Sequence, residues 1–234
     1  FTDRWRKVIE NIYSQFPQST LTLAACFSKN GDLLSEWTKY AKDGLGVSIG
    51  FDSNILAFGD NEFGLFKDKI IYSEIEQDKR IDEIVKKFLT EIDLSSKNED
   101  DIESILFNKV FLSLDNICST MKNFAFKEEE EVRIIYPVNI GFSNTADFER
   151  DSFTNSKELE VNNFRMSKIK YKSENENLIL YSDLSFENYI EKGIIKEIIL
   201  GPKCRLNEAD IRFFLHNENY TGKVVIMRSE GTYS

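Results

Sequence analysis

The chain reads as a single α+β domain over residues 1–234, with a mixed or antiparallel sheet core and several helices. Three observations lead there. Apolar residues recur at spacings of three and four through long stretches of the first half. Short β-branched runs bounded by Gly, Pro and Asn punctuate the whole chain. The helical stretches collect between the first strands and an acidic strand near the middle, rather than alternating with strands throughout. No internal repeat or low-complexity linker interrupts the pattern. With 234 residues, 41% of them hydrophobic and 19 of them Phe, the chain can bury a sizeable core.

Residues 1–16 are expected to be helical, because Trp5, Val8, Ile9, Ile12, Tyr13 and Phe16 share one face, and Pro17 ends the helix. A buried strand over 21–28 follows, stopped by the turn Lys29-Asn30-Gly31-Asp32. Asp32 is placed to cap a short helix over 33–42 that carries Trp37, Tyr40 and Ala41. Gly44 and Gly46 release the chain into a strand over 47–52, and 65–72 makes another. Ile81, Ile84, Val85, Phe88, Leu89 and Ile92 then form a helical apolar stripe. Past a polar linker, a second stripe runs from Ile102 to Met121 and includes Ile117 and Cys118. Residues 142–163 are polar and irregular, which predicts a long loop or hairpin insertion. Strands are expected again at 165–171, 178–181 and 196–200, the last ended by Gly201-Pro202. A helix over 207–217 should turn Ile211, Phe214 and Leu215 inward, and 224–227 closes the chain as a strand.

Between the second helix and the insertion lies Phe126-Lys127-Glu128-Glu129-Glu130-Glu131-Val132-Arg133-Ile134-Ile135-Tyr136-Pro137. As a strand it would point Glu129 and Glu131 to one face and Glu128 and Glu130 to the other. Like charges on one face repel, which favours a partner such as Arg133 or a ligand. A bare run of four glutamates is otherwise expected on a solvated edge.

Lys+Arg 30 against Asp+Glu 40 gives a net charge of -10, so no general nucleic-acid-binding surface is evident and anionic membranes are repelled. Cys26, Cys118 and Cys204 are far apart and odd in number. Cys26 and Cys118 are expected to be buried thiols, in a reducing, cytoplasmic setting. With His216 as the single histidine, neither a zinc site nor a histidine-based triad is easy to build, and no metal site is expected. His216, near a helix end, suits a surface cap. Gly44-x-Gly46 lacks the third glycine of a dinucleotide fingerprint, and Gly201-Pro202-Lys203 is a turn rather than a phosphate loop. No apolar run reaches the roughly 18 to 20 residues that span a bilayer. The chain opens on Phe1 rather than Met, so a preceding segment is expected.

Ala25-Cys26-Phe27-Ser28, then Leu34-Ser35-Glu36-Trp37-Thr38-Lys39-Tyr40-Ala41, then Gly46-Val47-Ser48-Ile49-Gly50-Phe51-Asp52 together resemble the signature of a bacterial domain-of-unknown-function family, number twenty-nine seventy-one. The resemblance extends to Lys127 with Glu129-Glu130-Glu131-Val132-Arg133, to Ile198-Ile199-Leu200-Gly201-Pro202 and to the closing stretch from Val224 to Ser229. Val132 stands where that family usually has an aromatic. More distantly, the order of elements resembles the ADP-ribosyltransferase fold. There a strand ending in a small hydroxyl residue leads to a helix carrying an aromatic, and a later strand opens with Glu-x-Glu. Phe27-Ser28, the Trp37/Tyr40 helix and Glu129-x-Glu131-Val132 are similar in order and chemistry.

The second resemblance implies an ADP-ribosyltransferase-like fold and NAD as substrate. Cleaving the nicotinamide–ribose bond passes through an oxocarbenium-like cation, which a carboxylate beneath the ribose stabilises. It implies Glu131 as the electrostatic catalyst and Glu129 as the residue that activates or orients the acceptor. Ser28, Trp37, Tyr40 and Arg133 fall on the cofactor side. Ser28 would support the carboxylate, Trp37 or Tyr40 would wall the pocket, and Arg133 would pair with one of the carboxylates. Trp37 and Tyr40 also fit a core role, and Ser28 a turn cap. No strand is expected before the 1–16 helix to hold the dinucleotide as in that fold, so either that strand lies upstream of Phe1 or the nucleotide site is incomplete. Proteins of this kind include toxins and anti-phage effectors, which implies a protein partner, an antitoxin or an activator. Two alternatives stand beside this reading. One is a non-catalytic module whose acidic strand binds a basic protein surface. The other is a nuclease in which Glu129, Glu131 and Asp52 hold Mg2+ through hard oxygen ligands.

Overall fold

The computed structural model describes residues 20–58, 65–91, 112–139, 158–161 and 163–231. In chain order the elements begin with β1 (Thr20–Phe27), α1 (Leu34–Tyr40), β2 (Val47–Phe51), β3 (Phe66–Lys69), α2 (Glu74–Glu91) and α3 (Leu112–Cys118). A 3-10 turn (Phe124–Glu129) leads into β4 (Val132–Asn139). Then come β5 (Leu159–Val161), β6 (Phe164–Met166), β7 (Lys170–Glu174), β8 (Asn177–Tyr181), β9 (Leu184–Ser185), β10 (Ile195–Leu200), α4 (Glu208–Asn217) and β11 (Val225–Arg228). The mixed and antiparallel sheets with few helices make this an α+β chain. Its contacts fall into two compact units, one of Phe1–Cys26, Gly64–Lys127 and Arg133–Lys157, the other of Phe27–Phe63, Glu128–Val132 and Glu158–Ser234.

The first unit holds a sheet ordered β1-β4-β3. Its central strand buries Ile134, Ile135, Tyr136 and Val138, as a β-branched and aromatic run does between two neighbours. Helix α2 starts at Glu74, earlier than its apolar stripe predicts. Ser73 begins it, accepting at its backbone carbonyl from the Gln77 N–H at 2.9 Å, and Glu74 and Glu76 suit the positive end of the helix dipole. Gln77 then reaches back, its side-chain amide donating to the carbonyls of Ile71 at 2.7 Å and Lys122 at 3.0 Å.

The second unit is built on a sheet ordered β11-β10-β2. Strand β10 pairs antiparallel with β2 and parallel with β11, so Ile198 sits between Ile49 and Ile226. One face carries a core of Ile198, Leu200, Cys204 and Ile211, the last from α4, with Val47, Leu215 and Ile226 packed against it. Asn207 starts α4 with a reciprocal capping box to Asp210. A series of ring contacts joins Phe27, Phe51, Phe186, Phe164 and Tyr189, at centroid separations of 5.8, 5.3, 5.8 and 4.5 Å in turn. Small antiparallel sheets β5-β6-β9 and β7-β8 complete the unit.

Several expectations need correction. Strand β1 is not buried: among the described strands it lies at a sheet edge, and Cys26 is exposed, as is Cys118 on the last residue of α3, while Cys204 is buried. Phe214 does not turn inward but is 58% exposed, because Ile211 and Leu215 already define the packed face of α4. The expected 1–16 helix lies outside the described residues, as does most of the second apolar stripe. So does most of the 142–163 insertion, whose described end is the β5–β6 hairpin turning at Asn163 with φ 67.

Candidate functional site around Glu129 and Glu131

The four glutamates do not lie on a strand. Phe124–Glu129 is a 3-10 turn, Glu130 adopts a left-handed φ of 40, and β4 begins only at Val132. The strand alternation expected from sequence therefore does not operate. The partition it implied is nevertheless present: Glu129 and Glu131 are each 4% exposed, whereas Glu128 and Glu130 face solvent. The solvated-edge reading fails for the first pair and holds for the second. The left-handed residue between them breaks the turn from the strand and keeps its own side chain outside.

Glu129 is held from two sides within the second unit. Lys39 of α1 places Nζ 3.1 Å from Glu129 Oε1. The lysine stem is half-exposed while the carboxylate is buried, so the ammonium reaches inward to compensate a charge that burial would otherwise penalise. Ser28 holds the backbone: its hydroxyl lies 2.8 Å from the Glu129 carbonyl and 2.9 Å from that of Asn30, and accepts from the Asn30 N–H at 3.1 Å. Ser28 thus fixes the main chain of the acidic turn rather than its carboxylates.

The turn that carries Ser28 is itself anchored. Gly31 packs directly on the sheet, where a Cβ would meet Ile199 Cδ1 at 3.1 Å and Ser48 Oγ at 3.2 Å. Asp32 was expected to cap α1, but the N-cap position is Leu33, without a side-chain cap bond. Asp32 instead accepts from the Trp37 indole N–H at 2.6 Å, from the Ser229 hydroxyl and from the Glu230 N–H at 2.9 Å. Burial raises its pKa, but the hydrogen bonds from Ser229, Trp37 and Glu230 outweigh that and hold it below the ordinary carboxylate value.

Of the predicted site residues, the structure brings together Ser28 and Glu129, beside Lys39 near the end of α1. Trp37 is 3% exposed and commits its N–H to Asp32, so it forms the base of the turn. Tyr40, one turn on, is 71% exposed. Arg133 belongs to the first unit, where its guanidinium donates to the Ser119 carbonyl at 2.7 Å. The nuclease alternative lacks its ligand set: Asp52 pairs with Lys196 at 3.3 Å and accepts from the Asn54 N–H at 3.0 Å. Among the described residues, no group of three or more His, Cys, Asp or Glu could hold a metal ion. Sequence reasoning missed Lys39, Ser229 and the true role of Asp32. Lys39 stood in the quoted helix run and Ser229 closed the quoted terminal stretch, but nothing local says that a lysine meets a glutamate 90 positions away.

Residues 36–134 match the profile of a family described as a protein of unknown function (DUF2971). The chain resembles this family. The matched run contains Trp37, Lys39, Glu129 and Glu131, and stops short of Ser229. No curated protein and no solved structure gives a match. Among the described residues, no helix is long and apolar enough to cross a membrane.

Proposed function

We propose that the protein is an ADP-ribosyltransferase-like enzyme that uses NAD as substrate, with Glu131 as the catalytic carboxylate. The observation that carries this reading is the withdrawal of Glu129 and Glu131 from solvent, out of a run of four glutamates that charge alone would leave exposed. Burying two carboxylates is costly and is repaid where a cation develops. As the nicotinamide–ribose C–N bond breaks, nicotinamide leaves with the bonding pair and the ribose takes on positive charge. Glu131 would stabilise that charge. The acceptor, a hydroxyl or water, then bonds to the ribose carbon and gives up its proton, which Glu129 would orient and take. Lys39 and Ser28 hold Glu129 in position for that role. An effector of this chemistry, in a toxin or anti-phage defence system, calls for an antitoxin or activating protein partner.

The test is incubation with NAD labelled on the adenylate, with and without cell lysate, following nicotinamide release and label transfer together. Glu131→Gln should abolish both by a factor of about 100 or more, the scale of removing one stabiliser of developing charge. Activity that survives Glu131→Gln overturns the assignment. A second reading rests on Glu128 and Glu130, which point outward and could grip a basic protein surface without catalysis. It gains if NAD is untouched and Glu128→Lys abolishes capture of a basic partner.

A further inference from the structure

Glu129 is gripped twice within the second unit, at its carbonyl by the Ser28 hydroxyl and at its carboxylate by the Lys39 ammonium. Both grips trace back to Asp32. Along one route the Asp32 N–H donates to the Asn30 side chain at 3.0 Å, and the Asn30 backbone bonds the Ser28 hydroxyl through both its N–H and its carbonyl. Along the other, Asp32 accepts from the Trp37 N–H at 2.6 Å, and Trp37 stands two residues before Lys39 on α1. That helix has 7 residues and no side-chain bond at its N-cap. The anchor at Trp37 therefore helps set the place from which Lys39 reaches.

Asp32 is in turn held by the segment that follows β11. The Ser229 hydroxyl and the Trp37 N–H share Asp32 Oδ1, while the Glu230 N–H donates to Oδ2 at 2.9 Å. The Gly231 N–H donates to Ser229 Oγ at 3.0 Å, and the Ser229 N–H to the Leu200 carbonyl at 2.8 Å. Glu230 is exposed, Ser229 and Gly231 are half-buried, and none of them belongs to the core of Ile198, Leu200, Cys204 and Ile211. A segment held by a few partly exposed hydrogen bonds opens at lower cost than the core it borders. Opening here removes the Ser229 and Glu230 bonds, and the Asp32 carboxylate is then free to rotate about the one that remains, to Trp37.

We propose that residues 229–231 form a strap that sets the position of Glu129, with Ser229 as a positioning residue acting through Asp32. Closed, the strap fixes the carboxylate from which both grips on Glu129 descend. Opened, it lets the Ser28 turn and α1 relax together, which makes the strap a regulatory handle on a residue it does not touch. The consequence for turnover rests on the acceptor role given to Glu129 above, whereas the coupling itself does not.

The test compares Ser229→Ala, Ser229→Thr and Asn207→Ala in the isotopically labelled full chain. Asn207→Ala removes the capping box of α4 and so destabilises the same unit without touching Asp32. Two carbon resonances of Glu129 are followed, the carbonyl for the Ser28 grip and the side-chain carboxylate for the Lys39 grip. Ser229→Ala should move both, Ser229→Thr should restore both because it keeps the hydroxyl, and Asn207→Ala should move neither. In a Ser28→Ala background, Ser229→Ala should no longer move the carbonyl resonance. With labelled NAD, Ser229→Ala should lower label transfer about 2- to 30-fold, the range carried through a coupled network, and nicotinamide release by less. Glu129 resonances that match the parent's in Ser229→Ala, or that move as far in Asn207→Ala, overturn the strap even where NAD is consumed. A parent that leaves NAD untouched overturns the proposed enzyme instead, and the resonances still decide the strap.

Discussion

Asp32→Ala should destabilise the second unit by removing the acceptor that ties its 28–32 turn together. The carboxylate accepts three hydrogen bonds, from Trp37, Ser229 and Glu230, and they tie the 28–32 turn and α1 to the end of β11. Bonds to a charged acceptor contribute about 1.5 kcal/mol each at the low end of their range. Partial exposure of Asp32 reduces that sum, whereas stranding the buried Trp37 N–H adds to the cost, so about 3 kcal/mol is expected. For a chain of this size that is a fall of roughly 6 to 12 °C in Tm. Fluorescence in a Trp5→Phe background isolates Trp37 as the reporter, and its emission should also shift to the red as the indole loses its fixed partner. Acid should reveal the same bonds. Folding lowers the Asp32 pKa, so the unfolded chain takes up the proton first. The stabilisation is complete above the unfolded carboxylate value of about 3.9 and is lost as pH falls through the lower folded value. Asp32→Ala should remove that part of the acid sensitivity. A Tm within about 2 °C of the parent, with unchanged emission, would refute the reasoning.

Four further outcomes follow from the same geometry. Lys39→Met should cost about 2 kcal/mol by leaving the buried Glu129 without its ammonium, and Lys39→Met/Glu129→Gln should regain much of that; a double variant no more stable than the single one would show the two are not coupled. Gly201→Ala should be worse, by about 3 kcal/mol or more, because its Cβ would lie 2.4 Å from the Gly44 carbonyl and 2.8 Å from that of Gly46. Denaturant midpoints read that loss directly, and tolerance of Ala there would mean the loop can withdraw. Tyr40→Ala, at an exposed ring, should change stability by less than about 0.5 kcal/mol; if Tyr40 walls the substrate site, KM for NAD rises while the melting curve stays put. Ser28→Ala should lower turnover less than Glu131→Gln does, since Ser28 acts through the Glu129 backbone.

Much of the fold was legible because it rests on local rules. The spans of β2, β8, β10 and β11 follow from β-branched runs and the glycines or polar turns that bound them. Asn207 with Asp210 announces the start of α4 three residues apart. Misreadings arose where the deciding partner is remote. Phe214 sits at helical spacing from Ile211, yet burial depends on how wide a stripe β10 and β11 can cover, and that width is tertiary. Cys26 looks like a core residue within an apolar run, but it is exposed on a strand that lies at an edge among the described strands.

The candidate site divides in the same way. By itself, the sequence determined that four carboxylates meet a β-branched strand, that a hydroxyl ends an earlier strand, and that an aromatic-bearing helix follows. These are matters of residue type and spacing, which the chain carries locally. Only the tertiary structure decided that the run is a turn rather than a strand, and that a left-handed residue at Glu130 divides buried carboxylates from exposed ones. Only it decided that Lys39 meets Glu129 and that Asp32 belongs to Trp37 and Ser229. Burying a charge is costly without a compensating partner, and the partners here are brought up by packing across the fold rather than by neighbours along the chain.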